Sequence, residues 1–200
     1  MIANTCCGIP LRRSKRESGD HYVERELVSV NKTFKGGVQL DNSHRTAITN
    51  GLLGKTAHVS PDAVFEAIDW GIVGKKPNGS LHSIWDILNH LIYWQDYCLS
   101  LLGGENPTSP EHAVESWEFT ESPLNEEQWQ GTVSAFLAGL QTAEVAAAAD
   151  LSGKIASRPS ESRIEVLESL IGHNSYHLGQ IVLLRQLLGS WPPPSGGNTW

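Results

Sequence analysis

The chain has 200 residues, 40% of them hydrophobic and 18% charged, with a net charge of -7 and a mean hydropathy of -0.25. That length suits one domain with room for a tail, and no apolar run approaches the ~18 residues of a spanning helix, which excludes a transmembrane protein. The first ten residues lack an apolar stretch, and Arg12, Arg13, Lys15 and Arg16 follow them rather than precede them, so no secretory signal is expected and the chain is read as cytoplasmic.

Charge is unevenly placed. Residues 1–40 hold 7 basic and 4 acidic side chains, a net of +3, whereas residues 41–200 hold 8 basic and 18 acidic, a net of -10. A phosphate-tracking surface needs clustered Lys and Arg, and beyond Lys35 only Lys75 and Lys76 stand together, so neither nucleic acid nor membrane is an expected partner. All seven Trp lie beyond residue 69. Residues 1–42 are therefore expected to be a disordered extension and residues 43–200 the folded domain. Cys6 and Cys7 are adjacent and Cys98 stands alone, which gives no disulfide framework and no CxxC site.

From residue 43 onward the signals are helical. Ser43 to about Val59 has Ile48 and Leu52 at helical spacing, weakened by Gly51 and Gly54. Ser60 before Pro61, followed by Val64, Phe65 and Ile68, reads as a cap, a first-turn proline and a short amphipathic helix. Gly71 to Gly79 reads as a loop. Ser83 with Asp86 makes a capping box for a helix over Ile84 to Leu102, which Gly103 and Gly104 end.

Residues 105–123, with Pro107, Pro110 and Pro123, form a connection long enough for a crossover. Leu124, Asn125, Gln128 and Trp129 suggest a hydrophobic staple around an Asn cap, and Trp129, Val133, Phe136, Leu137 and Leu140 give the next helix one apolar stripe toward Asp150. Ser162 with Glu165 caps the last helix, Ile164 to Leu188, and Gly189 with Pro192 to Pro194 stops it. With no hairpin signal to suggest a sheet, the expectation is an all-α four-helix bundle.

The candidate chemistry centres on the last helix. His173 and His177 lie about 40° apart around its axis and one turn apart along it, so both imidazoles can reach one metal ion. Eight His in 200 residues would give about 0.3 such pairs by chance, so the face they occupy matters more than the spacing. Val166, Leu170, His173, His177, Gln180 and Leu184 point within about 60° of one direction, toward the core. His90, on a side of the second long helix shared with Ile87, Trp94, Tyr97 and Leu101, is the candidate third ligand. Three neutral imidazoles suit Zn, Ni, Fe or Cu and leave a coordination position open. The competing reading is three separately hydrogen-bonded core histidines.

His82 is rotated about 80° from His90 and is expected to flank the helix start. His21, His44, His58 and His112 have no partner at ligand spacing. Gln180 and Tyr176, flanking the pair, could orient a ligand or a bound water, or else pack between helices with their polar tips hydrogen-bonded. Gly172 and Gly179, on the opposite side, are expected to permit close helix contact. Ile84, Leu88, Ile92 and Leu99 give the second long helix another apolar side, so one of its two sides is a candidate subunit contact. No Glu-x-x-His pair for a di-iron site, no G-x-S-x-G elbow, no Walker loop and no dinucleotide fingerprint is present.

The segment Gly172-His173-Asn174-Ser175-Tyr176-His177-Leu178-Gly179-Gln180-Ile181-Val182-Leu183-Leu184-Arg185, followed by Trp191 to Gly197, resembles the C-terminal signature of the DinB-like (YfiT-like) metal-binding helical bundles. His82-Ser83-Ile84-Trp85 and Asn89-His90-Leu91 resemble the family's second-helix pattern. The resemblance covers residues 43–200. It implies an antiparallel four-helix bundle, often a homodimer, in which His90, His173 and His177 hold a divalent metal such as Zn or Ni beside a small-molecule cleft. Trp94, Tyr176 and Gln180 are then candidates for supporting the metal or lining the pocket. Several characterised relatives are S-transferases using bacillithiol or mycothiol, or a mycothiol-dependent isomerase. The expected function is therefore a metal-dependent thiol S-transferase with a low-molecular-weight thiol as cosubstrate, against two alternatives: a non-catalytic metal-stapled dimer or a metal-dependent hydrolase.

Overall fold

The computed structural model describes residues 42–55, 57–117 and 120–197. Cys6, Cys7, the basic run Arg12 to Arg16 and the rest of the extension up to residue 41 lie outside the described residues. Five α-helices carry the fold: α1 (Asn42–Leu52), α2 (Pro61–Phe65), α3 (Ile84–Leu102), α4 (Glu126–Ala147) and α5 (Arg163–Leu187). The all-α expectation holds, with additions. Two 3-10 turns occupy the connections, Trp70–Ile72 and Ala113–Trp117, and a two-stranded antiparallel hairpin, β1 (Lys154–Ile155) with β2 (Arg158–Ser162), leads into α5. No helix among the described residues is long and apolar enough to cross a membrane.

The hairpin corrects the expectation that no strand is present. Its turn, Ala156 and Ser157, carries none of the usual residue signals, because tertiary contacts hold it instead. Ile155 is buried, the Ser157 hydroxyl donates to the Glu105 carbonyl at 2.9 Å, and the Arg158 guanidinium donates to the Tyr97 hydroxyl while lying 5.3 Å from that ring's centre.

Helix ends follow local chemistry more closely. Ser83 Oγ accepts from the Asp86 N–H at 3.1 Å while Asp86 Oδ2 accepts from the Ser83 N–H at 3.0 Å, the reciprocal box expected for α3. Asn125 Oδ1 caps α4 by accepting from the Gln128 N–H at 2.9 Å. The staple beside it does not form, since Leu124 is 83% exposed while Trp129 is 1% exposed. Ser60 occupies the N-cap position of α2, but its side chain makes no cap bond. The first helix ends at Leu52 rather than near Val59. Gly54 adopts φ +70°, and the Lys55 N–H reaches back to the Asn50 carbonyl at 3.0 Å, a left-handed termination that few residues other than glycine accept.

Packing follows from which faces are apolar. α3 packs against α4 and α5, and α1 packs against the same two helices. One buried cluster joins Ile84, Leu88 and Leu91 of α3 to Trp129, Phe136 and Leu140 of α4 and to Leu178, Ile181 and Leu184 of α5. A second joins Tyr97, Leu101 and Leu102 to Ala143 and Ala147 and to Val166, Leu167 and Leu170. Passing from the first cluster to the second, α3 and α4 run the same way and α5 runs back. Residues 105–123 are thus a crossover, and the antiparallel pair that matters for the site is α3 with α5. Between Leu170 and Leu178 the buried side chains of α5 include polar ones, His173, Asn174 and His177. Both sides of α3 bury within the chain, Ile92 and Leu99 only partly, so neither is left as a free apolar face.

Candidate metal centre

α5 places His173 and His177 one turn apart facing α3, and α3 presents His90 to them from the opposite helix. The three rings converge with centroids 5.0 Å (His90–His173), 4.7 Å (His90–His177) and 4.5 Å (His173–His177) apart. One nitrogen from each can be chosen so that all lie within 4.8 Å of one another. The exposures are 5% for His90 and 7% for each of the others, so the cluster sits in the core as the helical pattern implied.

The nitrogens facing away from the centre decide the tautomers. His90 Nδ1 lies 3.0 Å from the Ser116 carbonyl, which can only accept, so this nitrogen carries the proton and Nε2 turns a lone pair inward. His177 Nδ1 likewise donates to Gln180 Oε1 at 2.7 Å, leaving its Nε2 unprotonated. His90 Nε2 and His173 Nε2 stand 3.1 Å apart. That is close to the ~3.3 Å expected between two nitrogens each ~2.0–2.1 Å from a tetrahedral ion. Together the three imidazoles could hold a metal ion, and the donor set fits a divalent one.

All three are held neutral, which is the ligating form. Burial is the main cause in each case. It takes His90 down to about 4, with the Ser116 carbonyl opposing and His177 and His82 adding to the shift. His173 falls to about 3 through burial and then the neighbouring His177 and His90. The His177 pKa is also lowered by burial, against the pull of Gln180. Among the described residues the cluster contains no carboxylate.

Aromatic rings wall the imidazoles. Trp117 stacks on His90 at 3.7 Å and 10°, and His82 stacks on Trp117 at 3.7 Å and 19°. Two rings equally close and nearly parallel to one indole must lie on its opposite faces, so Trp117 is sandwiched between them. Trp94 stands edge-on, 6.4 Å from both His90 and His173. Tyr176 meets His177 at 5.0 Å but is 66% exposed, so it sits at the outer rim.

The residues singled out from sequence thus separate clearly. His90, His173, His177, Gln180 and Trp94 come together; Tyr176 borders them. His58 is engaged elsewhere, with Nε2 2.9 Å from Ser175 Oγ, and His44 and His112 are exposed. His21 lies outside the described residues. Gly172 and Gly179 are not at a close helix contact, since a side chain there would meet open space. Close helix contacts belong instead to Gly139, against which the Gln95 amide packs, and to Gly51, against which Ile171 packs.

Ser116 and Trp117 were not legible as site residues, because the proline-punctuated stretch they follow gives no period to place them. Asn174 was also missed; an amide between two inward-facing histidines was the available signal.

No curated protein and no solved structure matches the chain. The family match begins at α2's N-cap, leaving α1 outside it. With a model of the DinB family matching residues 60–198, the chain belongs to that family.

Proposed function

We propose that this protein is a metal-dependent thiol S-transferase in which His90, His173 and His177 hold a divalent ion, zinc or nickel, and a low-molecular-weight thiol is the cosubstrate. The observation that carries this reading is the convergence of three neutral imidazoles, two of them with Nδ1 committed to an oxygen acceptor and Nε2 turned inward. A bound metal supplies Lewis acidity that keeps a thiol deprotonated at neutral pH. His90, His173 and His177 would be its three protein ligands and would leave room for that sulfur.

The chain's own residues provide the rest. Ser116 and Gln180 fix the ring orientations, and Trp117 and Trp94 cover the sides of the cluster and limit water there. With a metal on their Nε2 atoms and Ser116 and Gln180 holding their Nδ1 atoms, neither His90 nor His177 would be left to act as a general base. The thiol's proton passes to solvent water, the thiolate sulfur bonds to an electrophilic carbon of the second substrate, and the leaving group departs with the bonding pair. We further propose that the protein acts in the cytoplasm and as a homodimer, the latter because the family it resembles is often dimeric.

Metal analysis of protein purified without an affinity tag, followed by incubation with candidate thiols and a generic electrophile, tests the proposal. Metal-dependent conjugation is expected. Its absence across the thiols overturns the transferase reading, and turnover without any thiol points to hydrolysis. One observation favours a structural role beside catalysis: the candidate ligands bridge the antiparallel pair α3 and α5, so an ion would cross-link them. Loss of the fold on chelation, with no conjugation, selects that role.

A further inference from the structure

His173 lacks what its two companions have. His90 gives its outer nitrogen to Ser116 and His177 gives its own to Gln180, but His173 Nδ1 is buried with no hydrogen-bond partner. The next residue, Asn174, is 4% exposed, and neither its Oδ1 nor its Nδ2 has a partner. Three orphaned polar atoms therefore sit on two adjacent buried residues. A buried polar atom left unpaired costs on the order of 1–3 kcal/mol, so two such groups side by side have a strong reason to pair.

We infer that Asn174 is the positioning residue of His173, its carboxamide bonding to His173 Nδ1 and completing the set in which every imidazole of the cluster has an outer partner. The inference rests on the metal reading given above. An amide suits this place because His173 needs both kinds of partner. Without metal, the 3.1 Å contact requires His173 Nε2–H to donate to His90 Nε2, so His173 Nδ1 is an acceptor and accepts a hydrogen bond from Asn174 Nδ2–H. With metal, His173 Nε2 would have to be bare, so the proton would sit on Nδ1 and donate a hydrogen bond to Asn174 Oδ1. Rotation of one carboxamide by half a turn serves both states, which neither a carboxylate nor a carbonyl can do.

Zinc affinity, measured by competition with a chromogenic chelator on the full chain, and the His173 tautomer, read by ¹⁵N NMR, test this. In the wild type, zinc is expected to switch His173 from the Nε2–H to the Nδ1–H form. Asn174→Leu is expected to bind zinc roughly 10–100-fold more weakly. Its metal-free melting temperature should fall, because His173 Nδ1 is left buried without its donor. Asn174→Asp, an acceptor only, is expected to bind zinc at least as tightly as the wild type and to shift the metal-free His173 toward Nδ1–H. Zinc affinity within two-fold of wild type in Asn174→Leu overturns the inference. Should that variant fail to fold, an unshifted His173 tautomer in Asn174→Asp does so instead. Absence of zinc binding by the wild type defeats the metal reading, and the tautomer of metal-free Asn174→Asp then decides the Asn174 pairing separately.

Discussion

His90 and His173, separated by 83 positions in the chain, bring their Nε2 atoms to 3.1 Å. Only the antiparallel packing of α3 on α5 makes that possible, and it joins one ligand candidate on one helix to two on the other. Replacing His90 leaves the α5 pair alone. His90→Ala is expected to lower zinc affinity at least about 100-fold, more than the loss of an orienting group does. Equilibrium competition against a chelator measures this, with far-ultraviolet circular dichroism checking that the helices persist. Affinity unchanged from wild type would remove His90 from the centre.

Gln180 acts on the metal only through His177, by accepting its Nδ1–H. Its side chain is half-buried, so little packing is lost on truncation. Gln180→Ala is expected to weaken zinc binding about 10–100-fold while changing unfolding free energy by less than about 1 kcal/mol. Gln180→Glu retains an acceptor and should keep most of the affinity. If both variants bind zinc as the wild type does, the hydrogen bond to His177 has no part in holding the ion.

Acid should destabilise the metal-free protein in a defined window. The imidazoles titrate near 6.5 when unfolded, whereas in the folded chain His90 is lowered to about 4 and His173 to about 3, chiefly by burial. Below 6.5 the unfolded state therefore binds protons that the folded state refuses, and stability falls as pH falls. The slope approaches about 1.4 kcal/mol per pH unit for each such group, ending for His90 near 4 and for His173 near 3. Urea midpoints of metal-free protein between pH 8 and about 4 read this out. A profile that is unchanged in a His173→Leu variant would show that His173 does not contribute to it.

The helices were legible where a short-range rule decides them. The Ser83 and Asp86 box set the start of α3, Asn125 capped α4, and the inward direction of His173 and His177 followed from the apolar residues around them. The hairpin over residues 154–162 was not, because Arg158 and Ile155 are held by α3 and its neighbours rather than by their own turn. Trp117 illustrates the same limit at the site: its stacking between His82 and His90 depends on how a crossover folds back, which periodicity does not report. Gly172 and Gly179 show the converse error. Their spacing suggested a close helix contact, while Gly139 is a glycine that a neighbouring side chain needs.

That contrast is measurable. At Gly139 a Cβ would come within 1.9 Å of Gln95 Nε2, whose amide also donates to the Phe136 carbonyl at 3.1 Å in the buried α3–α4 contact. Alanine normally favours a helix interior over glycine by ~1 kcal/mol, but here the displaced, buried amide loses its acceptor. Gly139→Ala is expected to destabilise by about 1–3 kcal/mol. Gly172→Ala and Gly179→Ala, with open space beyond the Cβ, should each stabilise by up to about 1 kcal/mol. Chemical denaturation of the three variants gives the signs, and a stabilised Gly139→Ala would mean that Gln95 has a second position available.

Arg185 ties the end of α5 to both α2 and the C-terminal segment. It is 1% exposed, and its guanidinium donates to the Val64 carbonyl at 2.7 Å, to Glu66 at 3.0 Å and to Ser190 at 2.7 Å, with the Trp191 ring centre 5.1 Å away. Glu66 in turn accepts from the Ser195 N–H at 3.2 Å. Lysine keeps the charge but not the planar fork, so it can serve at most one of these groups of carbonyls at a time. Removing the side chain leaves the buried Val64 carbonyl and the half-buried carbonyls of Glu66 and Ser190 without this donor. Arg185→Ala is expected to destabilise by about 3–5 kcal/mol, and Arg185→Lys by somewhat less. Because the guanidinium also holds the segment beginning at Ser190, limited proteolysis of Arg185→Lys should cut beyond Gly189 before it cuts within the helices. Cleavage confined to other connections, with wild-type stability, would show that α2 and the C-terminal segment are held without this residue.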